Sequence, residues 1–188
     1  LEINGKSTSQ MKPEEAVLFI RGPKGTSVKL LILHEDETEP VEIEVVRAEI
    51  EPSSVSSEMK GDIAYIRIIH FTVRMDAELT EHLDKVIKAG ATGIILDLRS
   101  NPGGLLQTVV EVASHFLKEG VVVDMKDNKG EHTLMKVEPT RVTTDLPVVV
   151  LVDNNSASGS EVLSGALQDH QLATIAGKKT FGKGSVNV

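Results

Sequence analysis

The alternation between Asp62 and Leu98 constrains this chain most. Asp62 to Phe71 reads as a strand, with Ile63, Tyr65 and Ile69 alternating on one face. Met75 to Ala89 reads as a helix, with Leu79, Leu83, Val86 and Ile87 on one stripe, stopped by Gly90 and Gly93. Ile94 to Leu98 follows as a short buried strand. Strand, helix, strand is a βαβ unit, because two parallel strands need a crossover, and that crossover is almost always right-handed. The expected fold class is therefore α/β. Ser100-Asn101-Pro102-Gly103-Gly104 makes a turn at the carboxyl end of the second strand, where open α/β sheets place their ligands.

The rest of the chain extends the pattern. Leu105 to Leu117 reads as a helix with Leu106, Val109, Val110, Ala113 and Phe116 on its apolar side. Val121 to Met125 and His132 to Val137 are strands around the turn Asp127 to Gly130. Pro147 to Val152 is an apolar strand that delivers the chain to a serine cluster, and Ala173 to Ile175 is a further short strand. Ahead of this core lies a smaller, separate pattern. Leu1 to Gly5 is a strand ending in an Asn-Gly turn, and Lys12 to Ile20 is a short amphipathic helix opened by Pro13 and stopped at Gly22-Pro23. Val28 to Leu33 and Val41 to Val46 are strands joined across an acidic turn, Glu35 to Glu39. Glu51 to Lys60 is polar and turn-rich and reads as the junction, with two domains expected at 1–47 and 48–188. Read from these residues alone, the first part is a small helix-and-hairpin subdomain.

Composition removes several function classes. At 188 residues and 40% hydrophobic, the chain can bury a real core. It has no cysteine, which excludes disulfides and a thiol nucleophile. A net charge of −8 argues against nucleic acid or an anionic membrane as partner, and 3% aromatics against base stacking. The six histidines lack metal-ligand spacing such as H-E-x-x-H, so neither a metal nor another cofactor is expected. The chain opens at Leu1 inside a strand-like run, which reads as a fragment or a processed product.

The chemistry concentrates between Asn154 and Val188. Ser156, Ser158, Ser160 and Ser164 crowd the start of an apolar-periodic helix, and Lys183 sits between Gly182 and Gly184. A strand, a turn of small residues and a helix can expose a nucleophilic hydroxyl and offer N–H groups to a developing anion. Each feature also has a plainer reading. Ser158-Gly159-Ser160-Glu161 matches the capping box, a lysine between glycines is most often a solvated turn residue, and Asn-Pro-Gly-Gly is commonly just a tight turn. The residues themselves do not separate Ser156, Ser158 and Ser160 as nucleophile. A triad with Asp169 and His170 fits poorly, since a helix begun at Ser158 carries Asp169 roughly 16 Å away at a rise of ~1.5 Å per residue.

Four ordered motifs then resemble the C-terminal processing peptidases, also called tail-specific proteases. They are DLRSNPGG (Asp97 to Gly104), SASGSE (Ser156 to Glu161), GALQD (Gly165 to Asp169) and TFGKGSV (Thr180 to Val186). The resemblance implies a crotonase/ClpP-like core of βαβ units, preceded here by the C-terminal half of a PDZ-like (α+β) domain. It implies a Ser–Lys dyad of Ser158 and Lys183, twenty-five positions apart as in the family. It assigns the oxyanion hole to the N–H groups of Gly104 and Gly159, and Asp169 to a structural role. A base role for Lys183 requires a neutral amine, which the flanking glycines would favour by letting the amine turn inward. The family carries a glutamine that orients the lysine where this chain has Asn187, one methylene shorter.

The implied function is a serine endopeptidase acting near the C-termini of proteins, with protein or peptide substrates bearing free C-termini. The resemblance also implies an extracytoplasmic, cell-envelope location, and leaves room for a homo-oligomer and for a regulatory partner acting through the PDZ domain. The alternatives are a weak or inactive peptide-binding scaffold, favoured by Asn187 and the truncated groove, and an acyl-CoA enzyme of the crotonase type. The last leaves SASGSE and FGKG unexplained.

Overall fold

Parallel strands, three of them feeding a helix, dominate the larger part of the molecule. The computed structural model describes residues 1–34, 37–49 and 53–185. Glu35 and Asp36 of the acidic turn, Glu51 of the junction and Asn187 lie outside the described residues. The chain divides into two compact units, Leu1–Pro52 and Ser53–Val188.

In the first unit, β1 (Glu2–Ile3) and β2 (Lys6–Ser7) form a hairpin across Asn4-Gly5, where φ is +51° and +76°, as the turn demands. With β3 (Ser27–Ile32) and β4 (Val41–Val46) they make an antiparallel sheet in the order β2-β1-β3-β4. The helix α1 (Pro13–Ile20) opens on Pro13, Glu14 and Glu15, which suit the positive end of the helix dipole. Its C-terminal carbonyls are satisfied by Arg47, which donates to Ile20 O at 2.7 Å and Phe19 O at 3.2 Å. The same guanidinium donates to Ser27 O at 2.8 Å and so ties the helix end to the sheet. No residue of α1 is buried, and Val17, Leu18, Phe19 and Ile20 stay exposed.

The second unit is built on a five-stranded sheet. Its strands are β5 (Val55–Lys60), β6 (Ile63–Ile68), β7 (Gly93–Asp97), β10 (Val148–Val152) and β11 (Ala173–Gly177), in the order β11-β10-β7-β6-β5. The strands β6, β7, β10 and β11 are mutually parallel, and β5 adds an antiparallel edge. Helices α2 (Met75–Lys88), α3 (Leu106–Ser114) and α4 (Gly159–Asp169) follow β6, β7 and β10. A separate hairpin of β8 (Val121–Lys126) and β9 (His132–Lys136) turns through Asp127 to Gly130. The core is aliphatic, with Ile66, Leu79, Leu83, Leu96, Val150, Leu163 and Leu167 fully buried; a buried side chain of this kind contributes about 1.5–3 kcal/mol. No helix among the described residues is long and apolar enough to cross a membrane.

Three local expectations change. Val55 to Lys60, read as part of the polar junction, is the edge strand β5. Its alternation is genuine, with Val55 buried and Ser57 and Met59 half-buried, but an edge strand keeps a polar outer face and so resembles a loop in composition. In β6 the buried face is Ala64, Ile66 and Ile68, not the face of Ile63 and Tyr65. Both faces of this strand carry apolar residues, so the sequence did not mark which one meets the core, and a one-residue slip exchanges them. In α2 the buried stripe is Met75, Leu79, Leu83 and Val86, while Ile87 lies 38% exposed at the stripe's margin.

Candidate active site

Two strand ends and one returning loop build the site. At the end of β7, Asp97 is fully buried and accepts from the main-chain N–H of Arg99 at 2.9 Å, from its Nη2 at 2.7 Å and from the Tyr65 hydroxyl. Burial alone would push this carboxyl up, but the Arg99 guanidinium and the Tyr65 hydroxyl outweigh it and hold Asp97 below its ordinary value. This network anchors the start of the Asn-Pro-Gly-Gly turn.

Asn101, also fully buried, is the hub of that turn. Its Nδ2 donates to Ile68 O at 3.0 Å, and its Oδ1 accepts from Gly103 N at 2.8 Å. Its main-chain carbonyl accepts from Ala157 N at 3.1 Å and from Ser160 Oγ at 2.9 Å, so the turn is bolted to the serine cluster. Gly103 has φ +103°, and a Cβ there would lie 2.8 Å from Gly159 N and 2.9 Å from Ser158 Cβ. At Gly104, φ +156°, a Cβ would overlap the Phe71 carbonyl oxygen. Gly103→Ala is therefore expected to cost about 1–3 kcal/mol in thermal denaturation, since strain and overpacking combine. It should also displace Ser158; an unchanged melting temperature would contradict this packing.

The end of β10 carries Asp153, whose carboxylate accepts from Ser100 N and Asn155 N, each at 2.9 Å. Led by the Ser100 N–H, these donors hold Asp153 below its ordinary value. The serine turn follows. Ser156 Oγ donates to Leu98 O at 2.8 Å, Ser160 Oγ to Asn101 O at 2.9 Å and Ser164 Oγ to Ser160 O at 2.7 Å, and all three residues are buried. Ser158 differs from them. It is half-buried at the N-cap of α4 with φ +53° and ψ −113°, a strained conformation for a residue with a Cβ. It pairs with Glu161 in a capping box, with Ser158 N donating to Glu161 Oε2 at 2.8 Å. The Glu161 N–H bonds the Ser158 carbonyl at 2.9 Å, and Ser158 Oγ makes no cap hydrogen bond. Behind it, a Cβ on Gly159 would come within 2.7 Å of Val109 Cγ2. Among the described residues, neither Gly104 N–H nor Gly159 N–H has a hydrogen-bond partner.

After β11 the chain returns to this turn. Phe181 N donates to Ser156 O at 3.0 Å, while Gly182 N and Lys183 N donate to the two oxygens of Glu161 at 2.6 and 2.9 Å. Lys183 is exposed, and among the described residues its amine makes no hydrogen bond, so the inward turn expected from its flanking glycines is not present. Only its main chain is anchored, through Glu161. Asp169 and His170 lie at the opposite end of α4, which runs unbroken from Gly159. His170 Nε2 donates to Val121 O at 3.0 Å and packs on Gly120. Among the described residues no three His, Asp or Glu side chains converge to hold a metal ion. Reading the sequence missed the roles of Asn101, Asp153 and Glu161. Only Glu161 leaves a trace in the sequence, the spacing of a capping box.

An α/β core with a strained serine at a strand-to-helix turn is the architecture of serine acyl-transfer enzymes. The chain belongs to peptidase family S41, whose sequence profile matches residues 62–188. It is 38% identical to a carboxy-terminal-processing protease of Bartonella bacilliformis, over 98% of this chain and 44% of that protein. It is likewise 38% identical to the carboxy-terminal processing protease CtpA of Bacillus subtilis, over 99% of this chain and 40% of the other. The chain thus spans less than half the length of these relatives. Among solved structures it is similar to a photosystem II D1 C-terminal processing protease, with a TM-score of 0.68 and 25% identity, over 100% of this chain and 52% of that one.

Proposed function

We propose that the full-length protein is a serine endopeptidase that cleaves protein substrates near their C-termini, with Ser158 as nucleophile and Lys183 as general base. The observation that carries this reading is the contrast within the serine cluster: three hydroxyls are spent on main-chain carbonyls, and only that of Ser158, on the strained turn, is not. Ser158 Oγ attacks the scissile carbonyl carbon while its proton passes to the neutral amine of Lys183. The N–H groups of Gly104 and Gly159 receive the oxyanion. The ammonium returns its proton to the departing amine, and water activated by the same lysine then releases the acyl group.

Lys183 is within reach of this task. Bonds of 2.8 and 2.9 Å to the same Glu161 oxygen keep the main-chain nitrogens of Ser158 and Lys183 within about 5.7 Å of each other. A lysine side chain spans that gap by rotation about its own bonds. Asn187 is the amide assigned to orient the amine, and it lies outside the described residues. In the same reading the first domain, 1–47, is the C-terminal half of a PDZ-like domain. The exposed apolar side chains of α1 would face substrate C-termini there. The family resemblance supports a location outside the cytoplasm, in the cell envelope, where a homo-oligomer or a regulatory partner bound through the PDZ-like domain would act.

A fluorophosphonate probe on the full-length gene product tests the reading: covalent labelling that maps to Ser158 supports it, and labelling elsewhere or none removes it. His170→Ala is expected to keep most peptidase activity, because this ring serves the contact with Val121. Loss of turnover in a folded His170→Ala protein would restore a histidine mechanism.

A further inference from the structure

We propose that Glu161 is a positioning residue, whose carboxylate clamps the nucleophile turn and the base-bearing loop in one register. The proposal rests on the reading of Ser158 and Lys183 as the reacting pair. A helix cap uses one donor, the N–H of the N-cap residue. Glu161 takes three. Its Oε2 accepts from Ser158 N at 2.8 Å and Lys183 N at 2.9 Å, and its Oε1 accepts from Gly182 N at 2.6 Å. Two of these donors come from a loop about twenty residues further along the chain. Burial pushes the carboxyl up, but the nearby Thr180 hydroxyl and the three main-chain N–H groups prevail and hold it below its ordinary value, so it is an anion over the working range of a peptidase.

The clamp matters because, among the described residues, little else holds the loop. From Gly182 to Ser185 every residue is exposed, and the main-chain bonds of Gly182 and Lys183 to Glu161 are those that fix this stretch. Glu161 therefore sets where the Lys183 side chain starts its reach toward Ser158. The carboxylate is required for this. A capping box accepts glutamine as readily as glutamate. A clamp does not, because the amide NH2 would confront donors wherever it replaced one oxygen.

Glu161→Gln in the full-length protein is the test. A cap alone predicts parental kinetics. The clamp predicts a kcat lower by about 10- to 100-fold, as for a misplaced catalytic group, with KM and melting temperature nearly parental. Thr180→Val, which removes the hydroxyl that favours the Glu161 anion, should lower kcat severalfold, and Thr180→Ser should restore it. The double variant Glu161→Gln/Thr180→Val should fall short of the product of the single effects, since both act through one carboxylate. Parental kcat in Glu161→Gln overturns the proposal. If that variant fails to fold, equal kcat in Thr180→Val and the parent overturns it instead. Lys183→Ala, measured alongside, separates the two readings: if it stays active, the Ser–Lys assignment has failed, whatever Glu161 does.

Discussion

Ser158→Ala is expected to abolish peptide hydrolysis while leaving the melting temperature nearly unchanged. Without the hydroxyl no acyl-enzyme forms, and what remains is the residual catalysis of binding and oxyanion donors, about 10³–10⁴ over water in serine hydrolases that lose their nucleophile. Stability should scarcely move, because Ser158 Oγ makes no cap hydrogen bond and alanine keeps the Cβ. The neighbouring serines should behave in the opposite way. Ser156→Ala and Ser160→Ala each remove a buried donor to a main-chain carbonyl, so each should cost about 1–3 kcal/mol and spare the chemistry in whatever protein stays folded. Hydrolysis and denaturation, measured on all three variants, decide the register. If Ser156→Ala or Ser160→Ala is folded and inactive while Ser158→Ala turns over, Ser158 is not the nucleophile.

The second large effect concerns the base. Lys183→Ala should be as inactive as Ser158→Ala, and Lys183→Arg should not rescue it. Arginine keeps the charge and the length but cannot give up its proton at working pH, so it cannot accept one from Ser158. Neither substitution should disturb the fold. The loop is held by the main-chain N–H of residue 183, which every residue but proline retains, and the side chain is exposed. Fluorophosphonate labelling sharpens the comparison, because it reports the reactivity of Ser158 separately from turnover. A labelling rate in Lys183→Arg equal to that of the parent would take Lys183 out of the acylation step. Slow labelling in both lysine variants, with an intact melting curve, is the expected result.

Much of this was readable in advance because it depends on neighbours in the chain. Asn4-Gly5 makes its turn from local backbone preference, and Pro13 with Glu14 and Glu15 starts α1 from local electrostatics. Leu79, Leu83 and Val86 mark the buried side of α2 by their spacing. The run from Val148 to Val152 into a turn of small residues already placed a serine at the mouth of a helix. Where both alternatives looked equally apolar, as on the two faces of β6, or equally polar, as in β5, the local pattern carried no decision.

The sequence by itself determined that a parallel α/β core delivers Asn-Pro-Gly-Gly and a serine-rich turn to strand ends, and that family motifs mark Ser158 and Lys183. Only the tertiary structure decided how those serines differ. Ser156 and Ser160 find their carbonyls 58 and 59 residues away, on Leu98 and Asn101, and become buried structure. Glu161, which looks like a cap from its spacing, spends its carboxylate on Gly182 and Lys183, 21 and 22 residues on. The physical reason is the same in each case. A helix or a turn follows from torsions and periodicity within a few residues, whereas a hydroxyl or a carboxylate bonds whichever donor or acceptor the folded chain brings to it, and that partner leaves no period in the sequence.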